Sequence, residues 1–346
     1  MPESERPRHR EEQMAPRTLL EMIAANRITQ AIYVAAELGI ADTLKDGARS
    51  AEEVAKAVGA SDDAVYRLLR ALASVGLFAS RPGRRFELTP LGYFLRADVP
   101  GSLREWARFN GHDIMWRPWG QLLYSVRTGT SAFRHVFGAN VFDYAAEHAD
   151  AATALNDAMT ALSAIDSAAV AAAYDYSAIE TLVDVGGGHG LLLTTILRAH
   201  PRLRGVLFDL PRVAKGATER LRREGLADRC AVIGGDFFET IPEGGDAYTM
   251  KFIVHDWDDA RATRILRNCR QVMRGGAKLL VIERVLSATD EPDFGKFSDL
   301  QMLVFAPDGR ERTETQFRAL YDAAGFELTR VVPTASPLCI IEGVPR

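Results

Sequence analysis

The run LVDVGGGHG at residues 182–190 admits few folds. Leu182, Val183 and Val185 are apolar and mostly β-branched, as a strand buried on both faces requires. The acid Asp184 sits near the strand's end. Gly186, Gly188 and Gly190 then recur at alternate positions, and the apolar stretch Leu191–Leu197 follows directly. The pattern is a strand, a tight turn and a helix N-terminus, which is how α/β sheets hold nucleotide-like cofactors. Glycine permits this because a ligand can approach backbone that carries no Cβ.

The spacing bears on which ligand the turn holds. Dinucleotide sites favour Gly-x-Gly-x-x-Gly, whose helix dipole faces an anionic pyrophosphate. Here the last interval is one residue shorter, and Asp184 lies where a pyrophosphate would be repelled. A ligand carrying an ammonium and a sulfonium would not be, and S-adenosylmethionine carries both. The turn alone leaves a methyl donor, a dinucleotide and a purely structural turn open.

Two further strand ends extend the outline. Val206, Leu207 and Phe208 lead to Asp209, a carboxylate able to accept both hydroxyls of an adenosine ribose, which suits NAD and a methyl donor equally. Ala231–Gly234 runs into Gly235, Asp236 and Phe237; Asp236 can accept from an adenine amino group while Phe237 packs on the ring. Read singly, the last two are a loop acid and a core aromatic. A fourth strand, 246–253, ends at Val254, His255, Asp256 and Trp257. Ligands of open α/β sheets bind beyond the carboxyl ends of the strands, so His255 is a candidate general base as well as a candidate structural histidine.

The motifs LVDVGGGHG, FDLP, GDFFETIP, MKFIVHDWDD, GGAKLLVIERV, SDLQML and GRERTETQFRALYDAAGF appear in this order from about Glu180 to the C-terminus. In this the chain resembles the plant caffeic-acid and bacterial antibiotic-pathway O-methyltransferases, a metal-independent small-molecule family that uses S-adenosyl-L-methionine. The resemblance implies that Asp184, Gly186 and Gly188 hold the methionine end of the cofactor, Asp209 the ribose, and Asp236 and Phe237 the adenine, with Lys251 beside them. Met159 and Ser163 match a family helix that closes over donor and acceptor. It further implies His255 as the base, Asp256 as a substrate-positioning residue, and Glu283 and Glu311 as the pair bracketing the imidazole. The acceptor is then an aromatic secondary metabolite, methylated on a hydroxyl by in-line displacement.

The chemistry is sound on its own terms. A phenol with a pKa of about 10 is roughly 4 kcal/mol from ionised at pH 7, and a neutral imidazole can take its proton as the nucleophile forms. Flanking carboxylates fix the tautomer and stabilise the imidazolium. Two other readings stay open. One keeps the fold but turns it to cofactor-assisted hydroxylation, decarboxylation or pericyclic chemistry, for which an intact His255, Glu283 and Glu311 would be superfluous. The other is a winged-helix DNA-binding regulator.

That second reading comes from the N-terminal third. Arg17–Leu44 has a helical stripe through Ile23, Ile28, Ala31, Ile32 and Ala35. Ser50 and Glu53 form a capping box for a second helix, and Ser61 caps a third over Asp62–Val75. Phe78–Leu88, broken at 81–84, reads as a hairpin, completing a winged-helix order. A recognition helix opening with Asp62 and Asp63 suits DNA poorly. The resemblance implies instead a dimerisation domain that wraps its twin. The expected divisions are a disordered tail at 1–15, this domain at 16–100, and a catalytic domain at 101–346.

Within the last, 101–175 is expected to combine helical linker and aromatic acceptor pocket, on the strength of Trp106, Phe109, Trp116, Trp119, Phe133, Phe137 and Phe142. Met302 and Phe305 are further candidates for the pocket. The chain departs from the family pattern at VFAPDGRERT, where Phe305 and Pro307 stand beside the acceptor loop.

Composition sets outer bounds. A chain of 346 residues, 47% hydrophobic, is long enough for two domains. A net charge of −4 argues against a polyanion-binding surface and so against nucleic acid. Three scattered cysteines make no disulfide framework or metal motif, in keeping with a cytoplasmic enzyme, and no apolar run approaches a membrane span. Alternation of strand and helix from 181 onward predicts a doubly wound, mostly parallel seven-stranded sheet, closed by an antiparallel hairpin at 326–333 and 338–344.

Overall fold

The computed structural model describes residues 6–306 and 308–346, with side chains from residue 15 onward. It divides into two compact units, one of 1–116 with 148–161, the other of 117–147 with 162–346.

The larger unit is built on seven strands: β1 (Thr181–Val185), β2 (Arg204–Asp209), β3 (Cys230–Gly234), β4 (Ala247–Lys251), β5 (Lys278–Glu283), β6 (Phe326–Pro333) and β7 (Cys339–Pro345). Their order is β6-β7-β5-β4-β1-β2-β3. The first five run parallel, and β7 pairs antiparallel with both β5 and β6. The central strands are mostly apolar because both faces of the sheet are covered. Val183, Tyr248, Met250, Leu279 and Val281 pack under the helices Asp259–Val272 and Glu314–Ala324, while Leu182, Leu207, Ala247, Leu280 and Ile282 pack under Leu191–Ala199 and Pro211–Arg223. Strand order reverses where β1 lies between β2 and β4, which opens a ligand crevice at their carboxyl ends.

One strand stops short of its expected end. β4 finishes at Lys251 rather than 253, because Phe252 adopts a left-handed φ of 56° and the chain turns into a short 3-10 segment, Val254–Asp256. For a bulky residue this conformation is strained.

The N-terminal unit is helical with a three-stranded wing of Arg49–Ser50, Arg85–Leu88 and Phe78–Arg81. The Ser50–Glu53 capping box is formed, whereas Ser61 occupies its cap position without a side-chain hydrogen bond. The single stripe expected over 17–44 is three helices, Arg6–Ile23, Asn26–Glu37 and Ile40–Thr43, the last set off by Gly39 at φ 65°. Helix Arg6–Ile23 runs through much of the segment expected as a tail at 1–15. Arg, Glu, Gln and Met are good helix formers, and charge alone does not keep such a stretch open. Residues 1–5 lie outside the described ones.

The boundary at 100 also moves. Helix Arg104–Gly111 packs on Asn26–Glu37, with Arg104 bonded to the Ala36 carbonyl at 3.1 Å and Asp42 at 3.0 Å, and Arg108 to Glu37 at 2.7 Å. Gly111 lies so close to Tyr33 that a Cβ there would sit 2.0 Å from its ring. Residues 101–116 therefore fold with the N-terminal unit.

Candidate active site

The glycine turn after β1 is shaped around a buried carboxylate. Asp184 is fully enclosed and its Oδ2 has no hydrogen-bond partner. Burial raises its pKa to about 7, with Lys251 pulling down and Asp209 pushing up. A Cβ on Gly187 would stand 2.6 Å from that same oxygen, and one on Gly186 2.3 Å from the Ile253 side chain. Gly186 and Gly188 hold left-handed φ values of 71° and 58°. At the end of β2, Asp209 accepts from the Gly188 N–H at 2.8 Å and from the Leu210 N–H at 2.7 Å, tying the second strand end to the turn. Beyond β3, Asp236 accepts from the Phe238 N–H at 2.8 Å and is half-buried, and the Phe237 ring edge lies near Gly186.

These groups form a cradle with an orphaned anion at its base. Such a cradle fits a cation that brings its own donors, as the ammonium of S-adenosylmethionine does, and it repels a pyrophosphate.

Beside it lies a polar cluster of which sequence reasoning saw only part. Lys251 Nζ donates to Ser163 at 2.9 Å. Burial lowers the lysine's pKa while Asp166 and Asp184 hold it up, and burial raises that of Asp166. Asp166 was missed because its only signal is its place one helical turn after Ser163 in the alanine-rich helix Ala149–Ala173.

Three carboxylates surround His255. The main-chain N–H of His255 donates to Glu283 Oε1 at 2.9 Å; Nδ1 is 3.5 Å from Glu311 Oε1 and Nε2 3.5 Å from Asp256 Oδ1. Burial opposes a charged imidazole, but Asp256, Glu311 and Glu283 outweigh it and bring the pKa to about 9. Burial raises Glu283 to about 7 against the pull of His255, and raises Asp256 as well. The Phe252 ring stacks on the imidazole at 5.1 Å and 25°.

The loop is pinned from the GRERT segment. Arg310 N–H donates to the His255 carbonyl at 2.8 Å. Arg312, fully buried, donates to the carbonyls of Val254 at 3.1 Å and Trp257 at 2.8 Å and to Asp259. A two-residue parallel ladder, Val285–Leu286 with Arg312–Thr313, brings Glu311 beside the end of β5. Arg312 and Phe252 carried no sequence signal, since each acts through a tertiary contact.

The remaining predicted pocket residues fall in both units. Met302 is half-buried, its methyl close to the Gly309 backbone that also approaches the His255 carbonyl. Phe305 is buried against Phe133, ring centroids 5.3 Å apart, and so belongs to an aromatic core. Trp116, half-buried, and Met159, 41% exposed, fall in the N-terminal unit. Phe142 is exposed, and Pro307 lies outside the described residues.

The sheet order, the acid-and-glycine turn and the helical N-terminal unit define a class I, S-adenosylmethionine-dependent methyltransferase. Residues 119–327 match the family model of the O-methyltransferase domain and residues 20–98 that of the O-methyltransferase dimerisation domain, and the chain belongs to this family of enzymes of secondary metabolism. The second match assigns the winged-helix segment to the dimerisation family and answers the regulator reading.

The chain is similar to the phenazine O-methyltransferase PhzM of Lysobacter antibioticus, 44% identical over 94% of this chain and 95% of that one. It is similar to the mitomycin biosynthesis 6-O-methyltransferase of Streptomyces lavendulae, 40% identical over 95% and 94%. Among solved structures, the SAH-bound form of CalO1, a methyltransferase in calicheamicin biosynthesis, superposes with a TM-score of 0.89 at 35% identity, covering 96% of this chain and 99% of that one. Some relatives at lower identity are N-methyltransferases.

Proposed function

We propose that the enzyme methylates a phenolic hydroxyl of an aromatic metabolite, with His255 as general base. The observation that carries this reading is the imidazole held among Asp256, Glu283 and Glu311 at the carboxyl end of β4, one turn from Lys251. When bound, S-adenosylmethionine supplies an electrophilic methyl on a sulfonium, a leaving group that needs no proton. The chain's own task is to hold the donor, align the oxygen and remove its proton.

Asp184, with Gly186 and Gly188, takes the cationic end of the cofactor. Asp209 takes the ribose hydroxyls, Asp236 and Phe237 the adenine, and Lys251, steadied by Ser163, lies alongside. Glu311 orients Nδ1, leaving Nε2 toward the acceptor. Glu283 fixes the backbone of the base, and Asp256 orients the hydroxyl. Met302, half-buried beside Gly309, stands as a proposed acceptor contact.

With the imidazole's pKa at about 9 against about 10 for a phenol, proton transfer from the hydroxyl to His255 is only about tenfold uphill. The carboxylates thereby stabilise the ion pair that precedes methyl transfer. The family's dimerisation domain supports a homodimer, and three free cysteines suit a cytoplasmic setting.

The test is methyl transfer from radiolabelled S-adenosylmethionine to matched phenols and anilines. Labelled ethers from phenols, absent with His255→Ala, support the reading. Labelling of anilines alone, undiminished in that variant, would move the chain to the N-methylating relatives.

A further inference from the structure

Two cations lie against the Phe252 ring. Lys251 Nζ is 5.3 Å from its centroid and the Arg284 guanidinium 5.7 Å. Lys251 is engaged, bonded to Ser163 and held between Asp166 and Asp184. Arg284 is not. Its side chain is only 20% exposed, yet its buried Nε has no hydrogen-bond partner, and NH1 stands 3.7 Å from Glu311 Oε1, beyond hydrogen-bond length. A guanidinium carries five donors in a planar fork, and a buried donor without a partner is costly.

The position of Arg284 gives that fork a use. It follows Glu283 directly at the carboxyl end of β5, on the ligand edge of the sheet. It shares the Phe252 ring with His255, which stacks there at 5.1 Å. Of the neighbouring carboxylates, Glu283 is enclosed and accepts from the His255 N–H, and Glu311, 1% exposed, lies 3.5 Å from His255 Nδ1 and 3.7 Å from Arg284 NH1. Asp166 is buried, with Lys251, Ser336 and, most weakly, Arg284 acting on it. A planar fork with free donors is matched by a planar anion of two oxygens, which a carboxylate supplies in bidentate form.

We propose that Arg284 is a specificity-determining residue that binds a carboxylate on the acceptor, so that the preferred substrates are hydroxylated aromatic acids. The proposal rests on the phenolic reading of the site but is tested apart from turnover.

In the presence of S-adenosylhomocysteine, calorimetry compares 3-hydroxy-2-naphthoate with its carboxamide, and 3-hydroxybenzoate with its carboxamide, at pH 7. The expected result is that, in at least one pair, the acid binds roughly tenfold to a hundredfold more tightly, the scale of a charged hydrogen bond. Arg284→Met should remove that preference and Arg284→Lys should keep part of it. Titration with S-adenosylhomocysteine checks that each variant is folded. Equal affinity for acid and amide in both pairs, including no binding of either, overturns the proposal with the wild-type protein alone. A preference that survives in Arg284→Met overturns it too and leaves Arg284 as a counter-ion of Glu311. Failure of the phenolic reading shows separately, as absence of labelled ether from any phenol.

Discussion

Glu283 grips His255 by the main chain, its Oε1 accepting the His255 N–H at 2.9 Å, while the imidazole is left to other partners. The carboxylate ending β5 thus fixes where the base stands, and Glu311, 3.5 Å from Nδ1, joins Asp256 and Glu283 in raising its pKa.

Replacing His255 by Ala should lower turnover by about 10²–10⁴-fold, the usual worth of a positioned base. Cofactor affinity should stay near wild type, because no cofactor-cradle group bonds the imidazole. Single-turnover kinetics with a parallel titration checks both. Full activity in the variant would remove His255 from the mechanism.

The pH dependence follows from the sign of the shift. With an imidazole pKa of about 9, the neutral base becomes more abundant as pH rises, so kcat/KM should climb about tenfold per unit from pH 6 to near 9. Removing a carboxylate destabilises the imidazolium and lowers that pKa. Glu311→Gln should therefore move the rising limb to lower pH, while a limb that stays in place would show that Glu311 does not govern the base.

Cofactor binding should release a proton. Asp184, with a pKa of about 7 while its Oδ2 has no partner, is partly protonated at pH 6–7, and a cationic ligand favours the carboxylate. Affinity for S-adenosylmethionine should rise with pH up to about 7 and then level. Calorimetry in two buffers of unlike ionisation enthalpy reads the proton directly, and Asp184→Asn should abolish the buffer dependence.

Gly187→Ala places a methyl 2.6 Å from Asp184 Oδ2 and must push the carboxylate aside. Cofactor affinity should fall about tenfold or more, in line with a lost charged hydrogen bond. Gly188→Ala meets no neighbour within 4 Å and carries only the strain of its φ of 58°, on the order of 1 kcal/mol. Titrating both variants separates the two causes.

Gly111→Ala tests the reassigned boundary. Its methyl would meet the Tyr33 ring at 2.0 Å, and overpacking of this kind costs about 1–3 kcal/mol. The melting temperature should fall; an unchanged value would mean that 101–116 does not pack on the N-terminal helices.

The sheet and the cradle were legible because each follows from local pattern. Buried strands give apolar runs, and Asp184, Asp209 and Asp236 come at or beside three successive strand ends. The capping box at Ser50 and Glu53 was legible for the same reason. What sequence could not give depends on contacts between distant segments. Gly111 reads as any helix glycine until Tyr33 is beside it. Phe305 reads as a pocket wall until Phe133 is found packed on its ring. Arg312 looks like a surface charge in GRERT, yet it is fully buried and holds the carbonyls of the His255 loop.

At residue 252, backbone and side chain ask for opposite amino acids. A φ of 56° suits Gly or Asn, whereas stacking on His255 needs an aromatic ring. Exchanging Phe for Tyr or Trp leaves the torsional strain in place, and the residues that relieve it discard the ring. Selection for a more stable fold and selection for a well-held base therefore pull this one codon in different directions, and a laboratory search for thermostability alone would be drawn to the change that loosens the imidazole.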